Sequence, residues 1–208
     1  MHAALATRIE SLGLVPYAEA SRRMRAFTEA RGPDTPDELW VLEHPAVYTR
    51  GQGADPAFGP RRENGIPVVQ SERGGEITYH APGQAVVYTL VDLQRRGIKV
   101  KEFVRRLEQA AIDLLARYGV RGERMPGAPG VYVGGAKIAA LGIRVARGRA
   151  WHGVSLNVDM DLSPFRDIDP CGYPGLAVTQ ARDHAIPGSA RELGLALARV
   201  IDEGLDHA

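Results

Sequence analysis

Cys171 is the only cysteine of the chain and lies between a proline and a glycine in the segment 169–175. Most free cysteines are inert core residues, but a loop position outside any apolar periodicity is also where a thiol can be presented to a substrate. A thiol with an ordinary pKa is mostly protonated at neutral pH, so a nucleophilic cysteine requires a nearby cation or base. The sequence offers Lys137, His80 and His152 for that role. The residues alone leave both interpretations of Cys171 open.

Lys137 is unusual because the chain otherwise uses arginine for positive charge. Of its 26 basic residues only Lys99, Lys101 and Lys137 are lysine. Lysine can release its proton where the surroundings disfavour the charge, whereas arginine stays charged. Lys99 and Lys101 begin a predicted exposed helix, but Lys137 lies in VGGAKIAALG, where partial desolvation would favour the neutral amine. The alternative is a strand-end lysine whose stem packs while its amine reaches water.

A glycine-rich segment, RGGEITYHAPGQ, occupies Arg73–Gln84. Paired glycines let a backbone approach a ligand closely, and a strand after them would present Thr78, Tyr79 and His80. A Gly-Gly turn that leads into a hairpin explains the same residues about as well. On its own, His80 is more often a structural residue than a catalyst.

Other kinds of chemistry find little support in the sequence. It contains no GxxxxGK[ST] loop and no strand-borne GxGxxG. Its histidines and lone cysteine lack metal-ligand spacing, and the acidic residues of 159–169 are interpreted as turn and capping residues. The net charge of +1 gives no reason to expect nucleic-acid or membrane binding, and no apolar run or signal peptide is recognisable. A single cysteine cannot form an intrachain disulfide, so a reducing cytoplasm is expected.

The apolar periodicity predicts the elements that must position these residues. Helices are predicted over Pro16–Arg31, Val100–Tyr118 and Ser189–Gly204, the last with a capping box formed by Ser189 and Glu192. Strands are predicted over Glu38–Glu43, Glu76–His80, Gln84–Val91, Gly130–Val133, Lys137–Ala146 and Ala150–Val158, a loop over Tyr48–Pro60, and an irregular segment over Asp159–Pro174. The irregular order of elements favours an α/β (α+β) fold with a mixed sheet, in one domain over 1–208.

Taken together, four motifs resemble the lipoyl(octanoyl) transferases, the octanoyl-[acyl-carrier-protein]–protein N-octanoyltransferases. The motifs are Arg73–Gln84, Gly134–Arg144, His152–Phe165 and Pro170–Gly175, within a resemblance that spans about residues 40–185. The family implies a mixed sheet with packed helices, similar to the catalytic domains of biotin protein ligases and lipoate–protein ligases. It also implies that Cys171 is the acyl-thioester nucleophile and that Lys137 lowers the cysteine pKa and transfers protons. The acyl-binding residues implied by the match are Arg73, Gly74, Gly75, Glu76, Ile77, Thr78, Tyr79, His80, Ala140, Leu141, Gly142, Gly153, Val154 and Ser155.

The resemblance implies transfer of an octanoyl group from octanoyl-acyl carrier protein, through a thioester on Cys171, to a lysine of a lipoyl domain. The acceptors would be lipoyl domains of 2-oxoacid dehydrogenase complexes and the glycine-cleavage H protein. No cofactor or metal is expected, and the enzyme is expected to be monomeric. Three alternatives remain: an ATP-dependent lipoate–protein ligase, an amidotransferase that moves lipoyl or octanoyl groups between lipoyl domains, and a non-catalytic acyl- or protein-binding module.

Overall fold

The computed structural model describes residues 5–55, 59–169 and 175–206. Within them the chain forms four α-helices: α1 (Tyr17–Ala30), α2 (Leu93–Arg96), α3 (Val100–Ala116) and α4 (Ala190–Asp206). The strands of the same residues are β1 (Arg8–Leu14), β2 (Glu38–Glu43), β3 (Val47–Arg50), β4 (Val68–Gln70), β5 (Ile77–His80), β6 (Gln84–Asp92), β7 (Glu123–Met125), β8 (Ala128–Val133), β9 (Ala136–Ala146) and β10 (Arg149–Asn157). The predicted mixed α/β fold is confirmed.

The large sheet has seven strands in the order β1-β2-β6-β10-β9-β8-β7. Only β1 and β2 are parallel, and α1 makes the crossover that a parallel pair requires. The other neighbours are antiparallel, and β9 and β10 are joined by a tight turn at Arg147-Gly148, both with positive φ, as a two-residue hairpin of this kind requires. This hairpin brings the Lys137 strand beside the strand that carries His152.

Alternation along the central strands gives the large sheet two different buried faces. Leu39 and Val41 of β2 pack into a cluster with the apolar sides of α3 and α4, whereas Trp40 and Leu42 pack against α1 on the opposite face. The same division continues in β6, where Val87 faces α3 and α4. α3 and α4 pack against most of one face, whereas α1 packs against only part of the other. The uncovered part of the α1 face is where a ligand can reach the sheet.

Side-chain hydrogen bonds support the start of α4 and the interior of β10. Before α4, the Ser189 backbone N–H donates to Glu192 Oε2 at 2.8 Å, and Glu192 N–H donates to Ser189 Oγ at 3.3 Å, so the predicted capping box is confirmed. The backbone O of His152 in β10 accepts from Thr89 Oγ1 at 2.9 Å, which ties β10 to β6 by a side chain as well as by the ladder.

A second sheet of three strands, in the order β4-β3-β5, lies beside the large one. Tyr48, Tyr79 and Phe165 form its aromatic core, with ring centroids 5.4 Å apart in both adjacent pairs. The loop predicted from Tyr48 is therefore wrong at its start, because Tyr48–Arg50 belong to β3 and the glycines begin only at Gly51. β5 pairs with β3 and not with β6, so the segment after the paired glycines is no simple hairpin with β6. β1, mostly exposed and lacking clear alternation, was not predicted.

Candidate active site

A cavity of about 260 Å³ lies on the uncovered part of the α1 face, between the large sheet and the segment 73–80. Its floor is made of small residues that face each other across β9 and β10: Gly142 pairs with Gly153, and Ala140 pairs with Ser155. A β-carbon at Gly153 would overlap Val87 O, so this position requires glycine, and the small side chains of Ala140 and Ser155 leave space for the groove. Val86 and Tyr88 of β6 continue the floor.

Arg73 holds the segment that covers this groove. Its guanidinium donates to the backbone O of Thr49 at 2.6 Å and to Thr49 Oγ1 at 2.9 Å. The next residue is fastened to the floor, since Gly74 N–H donates to Ile143 O at 2.9 Å. This close approach needs glycine at 142, where a β-carbon would lie 2.9 Å from Arg73 Cδ. The glycines of this region therefore bring cover and floor together, as the motif suggested.

Lys137 lies near one end of the groove and is only 3% exposed. Its Nζ donates to Pro129 O at 3.0 Å and lies 5.2 Å from the centroid of the Tyr132 ring. The neighbouring backbone leaves room for the lysine side chain. Gly130 has φ 143°, and a β-carbon there would lie 3.0 Å from Lys137 Cε. Glu108 of α3 accepts from Gly130 N–H at 3.1 Å and so fixes this turn from the helix side.

The main chain of Lys137 also binds the segment that follows Cys171 in sequence. Lys137 N–H donates to Ala177 O at 2.8 Å, and Thr179 N–H donates to Lys137 O at 2.9 Å. Cys171 itself lies outside the described residues. On the other side, Asp169 is paired with Arg61, and Asp167 accepts from Arg62 Nε at 2.7 Å. Fixed residues therefore precede and follow the cysteine segment, and those that follow it are bonded to the lysine strand.

The two ends of the groove differ in exposure. Gly127 and Pro129, beside Lys137, are exposed, so this end is the mouth. At the other end Tyr17, Tyr88 and His152 are buried, each 4% exposed or less, so the groove is closed there. A chain-like ligand would enter beside the lysine and extend toward the tyrosines and His152.

A cluster of neutral imidazoles underlies the closed end. Burial lowers the pKa of His44 to about 4 and those of His80 and His152 to about 3. Electrostatic interactions with Arg73 and with His44 lower the pKa of His152 further. His44 is bonded through both ring nitrogens, to Val15 O at 2.6 Å and to Tyr88 Oη at 2.7 Å. At neutral pH all three rings are uncharged, which suits a site for an apolar ligand.

His80 belongs to a buried polar chain that leads back to the Lys137 strand. Its Nδ1 is 2.7 Å from Gln84 Oε1, and Gln84 Nε2 donates to Asn157 Oδ1 at 2.9 Å. Asn157 Nδ2 then donates to the backbone O of Thr179 at 3.0 Å, the residue that is bonded to Lys137. His80 thus connects the covering segment with the mouth of the groove through hydrogen bonds.

The structure places most of the predicted site residues around one groove. The lining includes Arg73, Gly75, Glu76, Ile77, Thr78, His80, Lys137, Ala140, Leu141, Gly142, Gly153, Val154 and Ser155. Two predicted residues do not line it: Gly74 is bonded through its backbone to β9, and Tyr79 points into the aromatic core of the small sheet. Alternation along β5 explains Tyr79, since its neighbours Thr78 and His80 face the groove.

The groove also has lining residues that were not predicted as part of the site, among them Tyr17, Tyr88, Pro129 and Val178. Tyr17 and Tyr88 were assigned to the apolar face of a helix and to a strand, which is correct for their elements. Which side of a buried element borders a cavity is decided by tertiary packing, and no local pattern in the sequence marks it.

Among the described residues, no group of three or more His, Asp or Glu side chains is arranged to hold a metal ion. The described helices also include none long and apolar enough to cross a membrane.

The fold is shared with solved structures of lipoate-protein ligases and a biotin protein ligase. The fold matches lipoate-protein ligase A bound with ATP at a TM-score of 0.74 and 18% identity, over 97% of this chain and 86% of that one. It matches a bi-partite lipoate protein ligase from Thermoplasma acidophilum equally well, with a TM-score of 0.74 at 17% identity over 97% and 84% of the two chains. The biotin protein ligase of Aquifex aeolicus is more distant, with a TM-score of 0.55 at 11% identity over 96% and 68%. These likenesses confirm the fold that was expected.

The sequence comparisons identify the family more closely than the fold does. The model of the lipoyl protein ligase A/B catalytic domain matches residues 16–192. The octanoyltransferase of Dechloromonas aromatica is 54% identical over 199 residues, which cover 96% of this chain and 97% of that protein. The octanoyltransferase of Pseudomonas entomophila is 54% identical over 202 residues, covering 96% and 93%. The chain belongs to the octanoyltransferase family, within the lipoyl protein ligase A/B catalytic-domain family, as its motifs indicated.

Proposed function

We propose that this protein transfers an octanoyl group from octanoyl-acyl carrier protein to a lysine of a lipoyl domain, through a thioester on Cys171. The observation that supports this most directly is the position of Lys137, which lies at the mouth of an apolar groove with its main chain bonded to the segment after Cys171. A thioester held at that mouth would place its acyl chain in the groove and its carbonyl beside the lysine.

In the first half-reaction, the Cys171 thiolate attacks the carbonyl carbon of the octanoyl thioester. The new carbon–sulfur bond forms as the bond to the carrier thiol breaks, and the carrier leaves with the proton that Cys171 gave up. One thioester replaces another, so the step is nearly isoenergetic and needs no ATP. Lys137 is the group that would favour the thiolate and pass the proton.

In the second half-reaction, the ε-amine of the acceptor lysine attacks the acyl-enzyme, the carbon–sulfur bond breaks as the amide bond forms, and Cys171 leaves and takes up the proton that the attacking nitrogen loses. The acceptor amine is protonated in water and must lose a proton before it can attack. Lys137 is the candidate base, because a buried lysine amine at the mouth can accept that proton. Amide formation from a thioester is downhill and drives the transfer.

The groove provides affinity for the acyl chain. About seven methylene-sized groups at roughly 0.8 kcal/mol each give on the order of 5 kcal/mol before the chain is ordered. Neutral imidazoles and small floor residues keep the groove uncharged apart from Arg73 and Glu76 at its cover and Lys137 at its mouth. We infer that the acceptors are lipoyl domains of 2-oxoacid dehydrogenase complexes and the H protein. We also propose one domain over 1–208 and a monomeric, cytoplasmic enzyme.

Intact-protein mass spectrometry after mixing with octanoyl-acyl carrier protein, without ATP, tests this function. The expected result is one added octanoyl group, released by hydroxylamine, mapped to Cys171 and missing in Cys171→Ala. Transfer that strictly requires ATP, or an unmodified Cys171 in an active enzyme, would contradict the proposal. An amidotransferase would instead accept octanoyl-H protein as its donor and ignore the carrier.

Lys137→Arg separates charge from proton transfer. Arginine retains the positive charge but cannot act as a base, so kcat for amide formation should fall by about 10²–10⁴-fold, the range for removal of a proton-transfer group. Lys101→Arg, on the exposed side of α3, is the matched control and should retain full activity. Full activity of Lys137→Arg would exclude proton transfer by Lys137 and show that only its positive charge matters.

A further inference from the structure

His152 combines three features that a residue selected for stability would not show together. It is only 1% exposed, and among the described residues neither of its ring nitrogens has a hydrogen-bond partner. Its φ is 63°, in the left-handed region, although it lies inside β10. An unsatisfied buried polar group and a left-handed non-glycine residue each lower the stability of a fold. An ordinary apolar residue with strand geometry would avoid both costs.

The positive φ places the imidazole in the groove. His152 pairs with Ile143, whose side chain packs on the face covered by α3 and α4, so regular alternation would direct His152 to that face too. Instead its ring lines the groove, with its centroid 5.8 Å from that of Tyr88 and 6.5 Å from that of Trp151. Two successive residues of β10, Trp151 and His152, therefore occupy the same side of the sheet. The departure from strand geometry is what closes the groove.

The length of the groove agrees with this position. Lys137 and Gly142, next to the pairing partner of His152, are five residues apart in β9, or about 17 Å at the usual rise. With carbon–carbon bonds of about 1.5 Å, an extended eight-carbon acyl chain spans roughly 9 Å. Allowing for the side chains at both ends, such a chain fits between the mouth and the imidazole, and its terminal methyl group would meet the ring. Longer chains would have to displace a ring held between Tyr88 and Trp151.

We propose that His152 is the specificity-determining residue for acyl-chain length, and that its imidazole forms the end wall that stops the acyl chain. The inference rests on the proposed function insofar as the groove holds an acyl chain. Steric contact between the terminal methyl group and the imidazole sets the limit.

Direct binding of free saturated fatty acids of six to fourteen carbons, measured by titration calorimetry, tests the end wall without requiring Cys171 or a carrier. In the unaltered protein each methylene should tighten binding about fourfold up to eight carbons, after which the gain should stop or reverse. His152→Gly should continue the gain of about fourfold per carbon by at least two further carbons. His152→Asn should give a smaller extension. Both replacements tolerate the left-handed backbone, so both are expected to fold.

Ser155→Gly is the matched control, because it removes atoms from the middle of the floor and leaves the end wall in place. Its affinity is measured on the same series of fatty acids, and its length limit should equal that of the unaltered protein. The proposal is overturned if natively folded His152→Gly and His152→Asn keep the limit of the unaltered protein, or if the unaltered protein gains affinity steadily to fourteen carbons. A failure to form an acyl-enzyme at Cys171 would instead contradict the proposed function and leave this binding series unaffected.

Discussion

The two faces of the large sheet bury different kinds of side chains. The face under α3 and α4 is packed with aliphatic and aromatic residues such as Phe103, Leu107 and Leu197, all fully buried. The α1 face contains buried tyrosines, three histidines with lowered pKa values and Arg73, together with a groove. Apolar packing without cavities maximises stability, whereas a groove lined by polar groups reduces it. One face therefore stabilises the fold, and the other gives up part of that stability to hold a ligand.

The largest effect is expected on the helix-covered face. Phe103→Ala removes a ring from the centre of the α3 and α4 cluster and should lower the free energy of unfolding by about 3–5 kcal/mol. Urea unfolding followed by circular dichroism measures it. Activity per folded molecule should stay within about twofold, because Phe103 is on the face opposite the groove. A strong loss of activity in the folded fraction would mean that the two faces are not independent.

On the α1 face, acidification should destabilise the protein. His44, His80 and His152 have folded-state pKa values of about 4, 3 and 3, against an ordinary value of 6.5. Between these values the unfolded chain binds protons that the folded protein does not, so stability falls as the pH is lowered. From about pH 7 to about pH 5.5 each histidine should contribute a loss of about 1 kcal/mol, or roughly 3 kcal/mol in all.

Urea midpoints at the two pH values measure this loss. His152→Asn removes one of the three groups and should reduce the loss by about a third. Equal stability at both pH values would show that the imidazoles are not held neutral by burial. The two faces of the sheet would then not differ in their electrostatics.

The smallest of the three effects concerns the groove floor. A β-carbon at Gly142 would lie 2.9 Å from Arg73 Cδ, so Gly142→Val should push the covering segment off the floor beside the bound chain. The loss of contact with two or three methylenes would cost about 2 kcal/mol, or thirtyfold in kcat/KM for octanoyl transfer. Gly204→Val is the matched control, since a β-carbon at Gly204 of α4 meets no atom within 4 Å. If both variants retain full transfer rates, Gly142 does not border the bound chain.

Much of the fold could be predicted from the sequence because its periodicities are strong. The spacing of Phe103 and Leu107 gave α3, and the apolar runs gave β2, β6, β9 and β10 nearly to the residue. The whole of β3 and the whole of β1 escaped prediction, since a short strand and an exposed edge strand carry little alternation. The partner of β5 was also beyond local reasoning, because strand pairing between two sheets depends on long-range packing.

The candidate site was predictable where glycines and a rare lysine interrupt the pattern, as at Lys137. It was not predictable where its geometry departs from regular structure. His152 follows Trp151 in a segment whose sequence is that of an ordinary strand, and no local sequence pattern predicts the left-handed backbone of His152. The closed end of the groove, with Tyr17 and Tyr88, depends on which sides of three elements meet in space.

The main chain of Lys137 holds the segment that follows the cysteine, whereas its side chain is the part proposed to take part in the reaction. Ala177 and Thr179 are held by the peptide groups of residue 137, which every amino acid except proline supplies in full. The side chain at this position can therefore change during evolution without releasing the segment that follows the cysteine. Under the proposed mechanism, a descendant that lost the amine would stop transferring acyl groups, yet it would still have a groove with an intact mouth, and so the means to become a carrier or sensor of acyl chains.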